Sequence, residues 1–150
     1  MNKILILFFT LVATIPTTVF AEKNKLLGVW IGVGRASEAI YATMRITKDQ
    51  ISWGGGNPYN PPCKTTYSVI SEETSDTYPG NSLPLRKGRT FTVLKLKLAP
   101  KDCAYKLGFF QFAIPSDAVG YADVITYSED NRMNGSLSFS KREEYEGDKQ

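Results

Sequence analysis

The chain has 150 residues, of which 42% are hydrophobic, and its formal net charge at pH 7 is +3. A chain of this length supports one domain with a hydrophobic core, and so small a charge excess argues against a nucleic-acid-binding protein. The sequence contains no histidine, which excludes the Ser-His-Asp triad and zinc sites built on imidazole.

Residues 1–21 have the pattern of a secretory signal peptide. Lys3 gives a positive start, residues 4–13 form an apolar run, and the segment ends in the small residue Ala21. The run is shorter than the roughly 20 apolar residues that a transmembrane helix needs. We expect cleavage after Ala21 and a periplasmic or secreted protein that is not inserted in the membrane. The mature chain then begins at Glu22 with a net charge of about +2, because Lys3 is the charged residue removed.

Period-two alternation of apolar and polar residues predicts about eight strands in residues 22–150, which we expect to form one domain with a short polar C-terminal tail. The predicted strands cover residues 27–33, 40–46, 50–53, 65–70, 91–98, 105–114, 121–127 and 133–140. No segment shows a helical period over three turns. Sequential antiparallel strands favour an all-β, up-and-down barrel, which leaves no free edge; a flattened β-sandwich is the alternative.

Two closely spaced glycines, Gly32 and Gly34, end the first predicted strand. A dinucleotide-binding loop would place such glycines between a strand and a helix of a βαβ unit. Here the next predicted element is another strand, at residues 40–46. The sequence therefore predicts no nucleotide site in this segment.

The strand at residues 91–98 shows a change in its apolar phase between Val93 and Leu94. A β-bulge near Val93 would explain the change. A strand that leaves the core for an exposed extension would explain it equally well, and the sequence leaves both possibilities open.

Two cysteines, Cys63 and Cys103, are present in this exported chain. In an oxidising compartment the simplest prediction is one disulfide bond, which would stabilise the fold by about 4 kcal/mol. A redox or metal pair is disfavoured, because the sequence contains neither a Cys-x-x-Cys pair nor histidine. We expect no cofactor and no metal site.

Carboxylates offer little evidence for an enzyme. Asp117, Glu129 and Asp130 lie in predicted turns, where acidic residues are usually solvated. Asp123 shares one face of a predicted strand with Tyr121, and that face could point inward or outward. We therefore expect a protein without catalytic residues.

The segment Gly28-Val29-Trp30 stands near the start of the mature chain. It resembles the Gly-x-Trp motif with which lipocalins, and calycin barrels more broadly, begin their first strand. The resemblance implies that Trp30 closes one end of the barrel and that a basic side chain after the last strand lies across its ring. Lys141 and Arg142 follow that strand, and Arg142 is the expected partner. The second lipocalin motif, Thr-Asp-Tyr, has no counterpart, so the likeness is to a reduced calycin-type barrel.

Aromatic residues make up 12% of the chain. They could simply fill the interior of a small barrel. They could instead line a cavity for a small apolar ligand that tyrosine hydroxyls orient. The candidate ligand-binding residues are Tyr41, Tyr67, Tyr105, Phe110 and Tyr121.

Residues 72–89 show no strand signal and are longer than the common loop of about four to six residues. Long loops of this kind often carry binding functions. The candidate partner-binding residues in this loop are Leu83, Leu85, Arg86, Lys87 and Arg89.

Two functions remain from the sequence. The first is a carrier that holds a small hydrophobic molecule in the barrel. The alternative is a module that binds an exported protein through its loops, such as a periplasmic inhibitor or an immunity protein. A hydrolase or isomerase would need carboxylates that converge in a cavity, and it is the least favoured class.

Overall fold

The protein is a closed barrel of eight antiparallel strands, each hydrogen-bonded to the next, with the last strand paired to the first. The computed structural model describes residues 25–55, 61–76, 89–100 and 106–142. The strands are β1 (Gly28–Val33), β2 (Thr43–Ile46), β3 (Gln50–Gly54), β4 (Cys63–Ser75), β5 (Phe91–Leu98), β6 (Leu107–Pro115), β7 (Tyr121–Ser128) and β8 (Met133–Lys141). The predicted all-β, up-and-down barrel is confirmed, and the flattened sandwich is not formed.

β5 alternates between the two faces of the barrel wall along its whole length. Its residues in the main core are Leu94, Leu96 and Leu98. Phe91 and Val93 alternate with them and form a second apolar cluster with Ala113 on the other face of the wall. The predicted bulge near Val93 is therefore wrong, because both faces of this strand carry buried apolar residues. A register shift occurs instead in β4, between Val69 and Ser71.

β4 is the longest strand and pairs with different neighbours along its length. It pairs with β3 up to Thr66, and from Tyr67 to Ser75 its partner is β5. The predicted strand ended at Ile70, and Glu72 was assigned to a loop. That prediction is wrong because the exposed side chains of this half give no alternation, whereas the backbone continues to pair.

A six-residue helix, α1 (Arg35–Ile40), connects β1 to β2 and was not predicted from the sequence. It is too short to show a helical period. The second strand begins at Thr43 rather than at the predicted Ile40, and the Ile40 side chain is 63% exposed on the helix. Within the described ranges, no helix combines the length and apolar character needed to cross a membrane.

The glycines at the end of β1 allow α1 to pack closely against the barrel. A Cβ atom at Gly32 would lie 2.8 Å from the backbone carbonyl of Ser37, too close for any side chain. Gly34 begins the turn into the helix with φ +87, a conformation that favours glycine. Ser37 is buried, and its hydroxyl accepts a hydrogen bond from the Ser138 backbone N–H at 3.0 Å. These contacts give the two glycines a role in packing α1 against the barrel.

The antiparallel order divides the connections between two ends of the barrel. The start of β1, the β2–β3 and β6–β7 turns, the end of β4, the start of β5 and the end of β8 lie at one end, which we call the upper end. α1, the ends of β3 and β5, the starts of β4 and β6 and the β7–β8 turn lie at the lower end. Each end therefore collects residues that are far apart in the sequence.

Cys63 begins β4 at the lower end and is buried, with 6% of its surface exposed. The described residues include no free thiol. Close by, the Ala99 backbone N–H donates a hydrogen bond to the Thr66 carbonyl at 3.0 Å. Cys103 lies outside the described residues, four positions beyond Ala99, a stretch that can span about 13 Å. The Cys63–Cys103 disulfide stays a prediction. The start of β4, which carries Cys63, and the end of β5, which precedes Cys103 in the sequence, both lie at the lower end.

Candidate functional site

Aromatic rings pack against one another inside the barrel. The centroid of the Phe110 ring is 5.3 Å from that of Trp53 and 5.8 Å from that of Tyr41, and both pairs meet edge to face. The centroid of the Tyr41 ring is also 6.5 Å from that of Phe139. None of these four side chains is more than 9% exposed. They contribute to the core, and such edge-to-face pairs stabilise it beyond their buried area.

Of the five predicted ligand-binding residues, the interior brings only Tyr41 and Phe110 into contact among those described. Tyr67 is half-buried, and its hydroxyl donates a hydrogen bond to the Thr47 carbonyl at 2.8 Å. That bond ties β4 to the β2–β3 turn. Tyr105 lies outside the described residues.

The outer face of β7 carries Tyr121 and Asp123. The interior face of this strand carries Ala122 and Val124, which belong to the main core. The Asp123 carboxylate accepts hydrogen bonds from the Tyr121 hydroxyl at 3.1 Å and from the Ser138 hydroxyl at 2.7 Å. The structure thus decides which face points inward, and neither Tyr121 nor Asp123 belongs to an interior site.

Trp30 lies fully buried inside the barrel. Its indole N–H donates a hydrogen bond to the Leu26 carbonyl at 2.8 Å. The cation over the ring is Lys141, whose Nζ is 5.5 Å from the ring centroid, rather than the predicted Arg142. The physical reason is register: Lys141 is the strand residue that pairs directly with Trp30, whereas Arg142 follows the end of β8 and is exposed.

Gly28 gives the Lys141 side chain its position. A Cβ atom at Gly28 would lie 2.9 Å from the Lys141 Cε, and the backbone at Gly28 has φ +129. The Lys141 Nζ also donates a hydrogen bond to the Lys25 carbonyl at 3.1 Å. Glycine, tryptophan and lysine therefore form one arrangement, in which the missing side chain of the first makes room for the third.

A pocket of about 910 Å³ lies beside this arrangement at the upper end of the barrel. It is formed by the start of β1, the end of β2, the β2–β3 turn, the β6–β7 turn and the end of β8. The residues that line it are Lys25, Leu27, Gly28, Arg45, Ile46, Thr47, Lys48, Val119, Gly120, Lys141 and Arg142.

The lining of this pocket is strongly asymmetric in charge. Five of the described lining residues are basic and none is acidic. Charges of one sign around a concave surface add to a local potential that raises the concentration of oppositely charged ligands. The described part of this lining therefore favours anions over cations. We call this pocket the basic pocket.

Sequence reasoning missed the basic pocket. Its basic residues stand at positions 25, 45, 48, 141 and 142, and the first and last are joined only by closure of the barrel. In the sequence, basic residues that are so far apart cannot be distinguished from ordinary solvent-exposed surface residues. The adjacent Lys141 and Arg142 were the one local signal.

Arg89 lies two residues before β5 at the upper end, and its Nε is 3.0 Å from an Asp117 carboxylate oxygen. This ion pair joins the segment that leads into β5 to the β6–β7 turn. The other candidate partner-binding residues, Leu83, Leu85, Arg86 and Lys87, lie outside the described residues.

A smaller pocket of about 500 Å³ lies at the lower end, around the β7–β8 turn. Its described lining contains two basic and two acidic residues, and the Arg132 guanidinium is 2.5 Å from the Asp130 carboxylate. Hydrogen bonds from Ser128 and Arg132 lower the pKa of Asp130. No group of three potential metal ligands occurs in the part of the chain that the structure describes. The lower end therefore offers a less charged site than the basic pocket.

Burial of Tyr41 leads to a prediction about alkaline stability. Burial raises the pKa of the Tyr41 phenol above 10.0, and a hydrogen bond with Thr126 partly offsets the shift. Above about pH 10 the unfolded state loses a proton that the folded state keeps, so stability falls as the pH rises. The Tyr41→Phe variant should show a smaller loss of unfolding free energy between pH 8 and pH 11, measured by urea denaturation. An unchanged loss in Tyr41→Phe would contradict this assignment. Burial also raises the pKa of Tyr127, but this side chain is only half-buried, so Tyr127→Phe should change the loss less than Tyr41→Phe does.

Comparison of the chain with protein-family models, with curated proteins and with solved structures gives no match. The closed eight-stranded barrel is compatible with a calycin-type barrel. Its geometry identifies the chain as a small all-β barrel with one strongly basic end.

Proposed function

We propose that this protein is an exported, non-catalytic β-barrel binding protein of calycin type that takes an anionic ligand in the basic pocket. The observation that carries the proposal is that five basic residues line one pocket of about 910 Å³. This volume lies in the range of clefts that bind small organic molecules, about 300–1,000 Å³.

The packing of the interior supports a site at the end of the barrel rather than inside it. A ligand held between Tyr41, Trp53 and Phe110 would have to displace rings that already contact one another. Close-packed cores resist such insertion. The carrier function therefore remains in the proposal, but its site moves from the barrel interior to the basic pocket.

A fluorescent anion tests the proposal directly. Wild-type protein should bind anilinonaphthalene sulfonate, and the affinity should fall when the ionic strength rises from about 0.05 M to about 0.5 M. The variant Lys48→Glu/Arg142→Glu reverses two exposed charges of the pocket and should bind at least about tenfold more weakly. Fluorescence titration measures both effects.

The matched control is Lys64→Glu/Lys97→Glu. It changes the net charge by the same amount at two exposed positions outside the basic pocket. Its affinity for the probe should change by less than about threefold. Equal weakening in the two double variants would show that binding follows net charge alone and would refute the proposed site.

A protein-binding module is the second candidate. The observation in its favour is that Asp76 and Arg89, which flank the long β4–β5 connection, lie at the same end as the basic pocket. An exported protein with an acidic surface could contact the pocket and this connection together. Retention of a specific protein by immobilised wild type but not by Lys48→Glu/Arg142→Glu, with no binding of the small anion, would favour this candidate over the first.

A further inference from the structure

The basic pocket has walls of two chemical kinds, and this bears on the class of ligand that it can hold. Its basic side chains come from Lys25, β2, the β2–β3 turn and the end of β8. Its apolar side chains are Leu27, Ile46 and Val119. Val119 lies in the β6–β7 turn and is 51% exposed. A ligand with both a charged and an apolar part would contact both kinds of wall.

We propose that the ligand of the basic pocket is an amphiphile with a phosphate monoester headgroup and a short apolar chain. The inference rests on the proposed function and names the ligand class for that same site. The headgroup would lie among the basic side chains, and the chain would lie along Leu27, Ile46 and Val119.

The number and type of the basic residues favour phosphate over carboxylate. A carboxylate carries one charge on two oxygens, whereas a phosphate monoester carries about −1.5 to −2 at pH 7 on three terminal oxygens. Arg45 and Arg142 offer guanidinium groups, which bind phosphate through paired hydrogen bonds. Lys141 adds an ammonium group that its contacts with Trp30 and Lys25 hold at the pocket. These residues line one pocket, and binding of a phosphate there does not require them to lose their other contacts.

The size of the pocket favours an organic phosphate over the inorganic ion. A volume of about 910 Å³ is far larger than a single phosphate needs. Burial of each methylene group contributes about 0.8 kcal/mol, so partial cover of a chain by three apolar side chains should raise affinity at least about tenfold.

Four probes separate the contributions in isothermal titration calorimetry with the mature full-length protein. Octyl phosphate, used below its micelle concentration, carries both parts of the ligand. Octanoate has a singly charged headgroup, octanol has no charge, and inorganic phosphate has no chain. Octyl phosphate should bind at least about tenfold more tightly than each of the other three. Equal affinity for octyl phosphate and octanoate would overturn the assignment of the headgroup, and equal affinity for octyl phosphate and inorganic phosphate would overturn the apolar part.

Two variants test where the apolar chain of the ligand lies. Val119→Ser should weaken octyl phosphate about threefold or more and leave inorganic phosphate unchanged. Ile40→Ser removes another exposed apolar side chain, at the lower end, and should change neither affinity. An effect of Ile40→Ser as large as that of Val119→Ser would contradict the placement.

The same chemistry could come from a free amphiphile or from a lipid headgroup. Vesicles that contain phosphatidic acid distinguish these sources: co-sedimentation with them, lost in Lys48→Glu/Arg142→Glu, identifies a lipid surface. Binding of monomeric octyl phosphate without co-sedimentation identifies a free amphiphile. If anions bind in the pocket and an apolar chain on the ligand does not raise their affinity, this inference fails and the proposed function stands. If no anion binds there, both fail.

Discussion

Replacing Trp30 with alanine is expected to lower the free energy of unfolding by about 3–5 kcal/mol, as truncation of a large buried aromatic residue does. Trp30 is completely buried in the main core. Its removal would leave a cavity, would leave the Leu26 carbonyl without the indole donor, and would expose the interior beside Lys141. Urea denaturation followed by far-UV circular dichroism gives the change, because this signal reports the strands and does not depend on the replaced tryptophan.

Two neighbouring variants serve as controls for the Trp30 result. Lys141→Ala removes the cation over the ring and the hydrogen bond to Lys25, and it should cost about 1–2 kcal/mol. Arg142→Ala should cost less than about 0.5 kcal/mol, because its side chain is exposed and lies beyond the strand. A larger cost for Arg142→Ala than for Lys141→Ala would contradict the closure by Lys141, and a cost below about 1 kcal/mol for Trp30→Ala would contradict its place in the core.

Replacing Phe110 with alanine is expected to cost about 3–5 kcal/mol and to create a cavity inside the barrel. Phe110 is fully buried, and its ring meets those of Tyr41, Trp53 and Phe112. The variant loses its apolar burial and three edge-to-face contacts at once. Chemical denaturation measures the loss.

The same variant tests whether the wild-type interior has room for a ligand. An engineered apolar cavity stays dry and takes up small apolar molecules such as benzene or xenon. Benzene should therefore raise the melting temperature of Phe110→Ala and leave that of the wild type nearly unchanged. An equal rise in the wild type would restore the carrier site to the interior of the barrel.

The adjacent ring provides the matched control. Phe109 lies on the outer face, half-buried, with the Lys95 Nζ 5.0 Å from its centroid. Phe109→Ala should cost about 1–2 kcal/mol and create no benzene site. If Phe109→Ala proved as costly as Phe110→Ala, the assignment of these two rings to opposite faces would be wrong.

The basic pocket has almost no counterpart among the patterns of the sequence. Lys25 and Arg45 are unremarkable in their local context, and Val119 is one apolar residue in a turn. Their meeting depends on strand pairing between β1 and β8, which joins residues more than a hundred positions apart. Local patterns carry no information on such a meeting, because the closure is a property of the whole sheet.

The sequence by itself predicted about eight strands and their antiparallel order, and it favoured the closed barrel over the flattened sandwich. Alternation was sufficient at residues such as Leu137 and Phe139, because a strand turns successive side chains to opposite faces and only one face is buried. It also located Trp30 in the first strand. Because most predicted connections are short, pairing each strand with the next was the simplest arrangement, and closure then leaves no strand edge without hydrogen-bond partners.

Only the tertiary structure decided the features that depend on register and packing. Alternation cannot tell the inner face where both faces carry large residues, as with Ile125 beside Val124, both buried on opposite sides of β7. A shift of one residue exchanges the faces, which is why Lys141 rather than Arg142 meets Trp30. The short helix α1 likewise depends on a close approach at Gly32, and its six residues gain stability from packing against the barrel rather than from their own period. Patterns along the chain thus specified the elements, whereas the facing of each side chain and the meeting of distant charges followed from how the closed sheet packs.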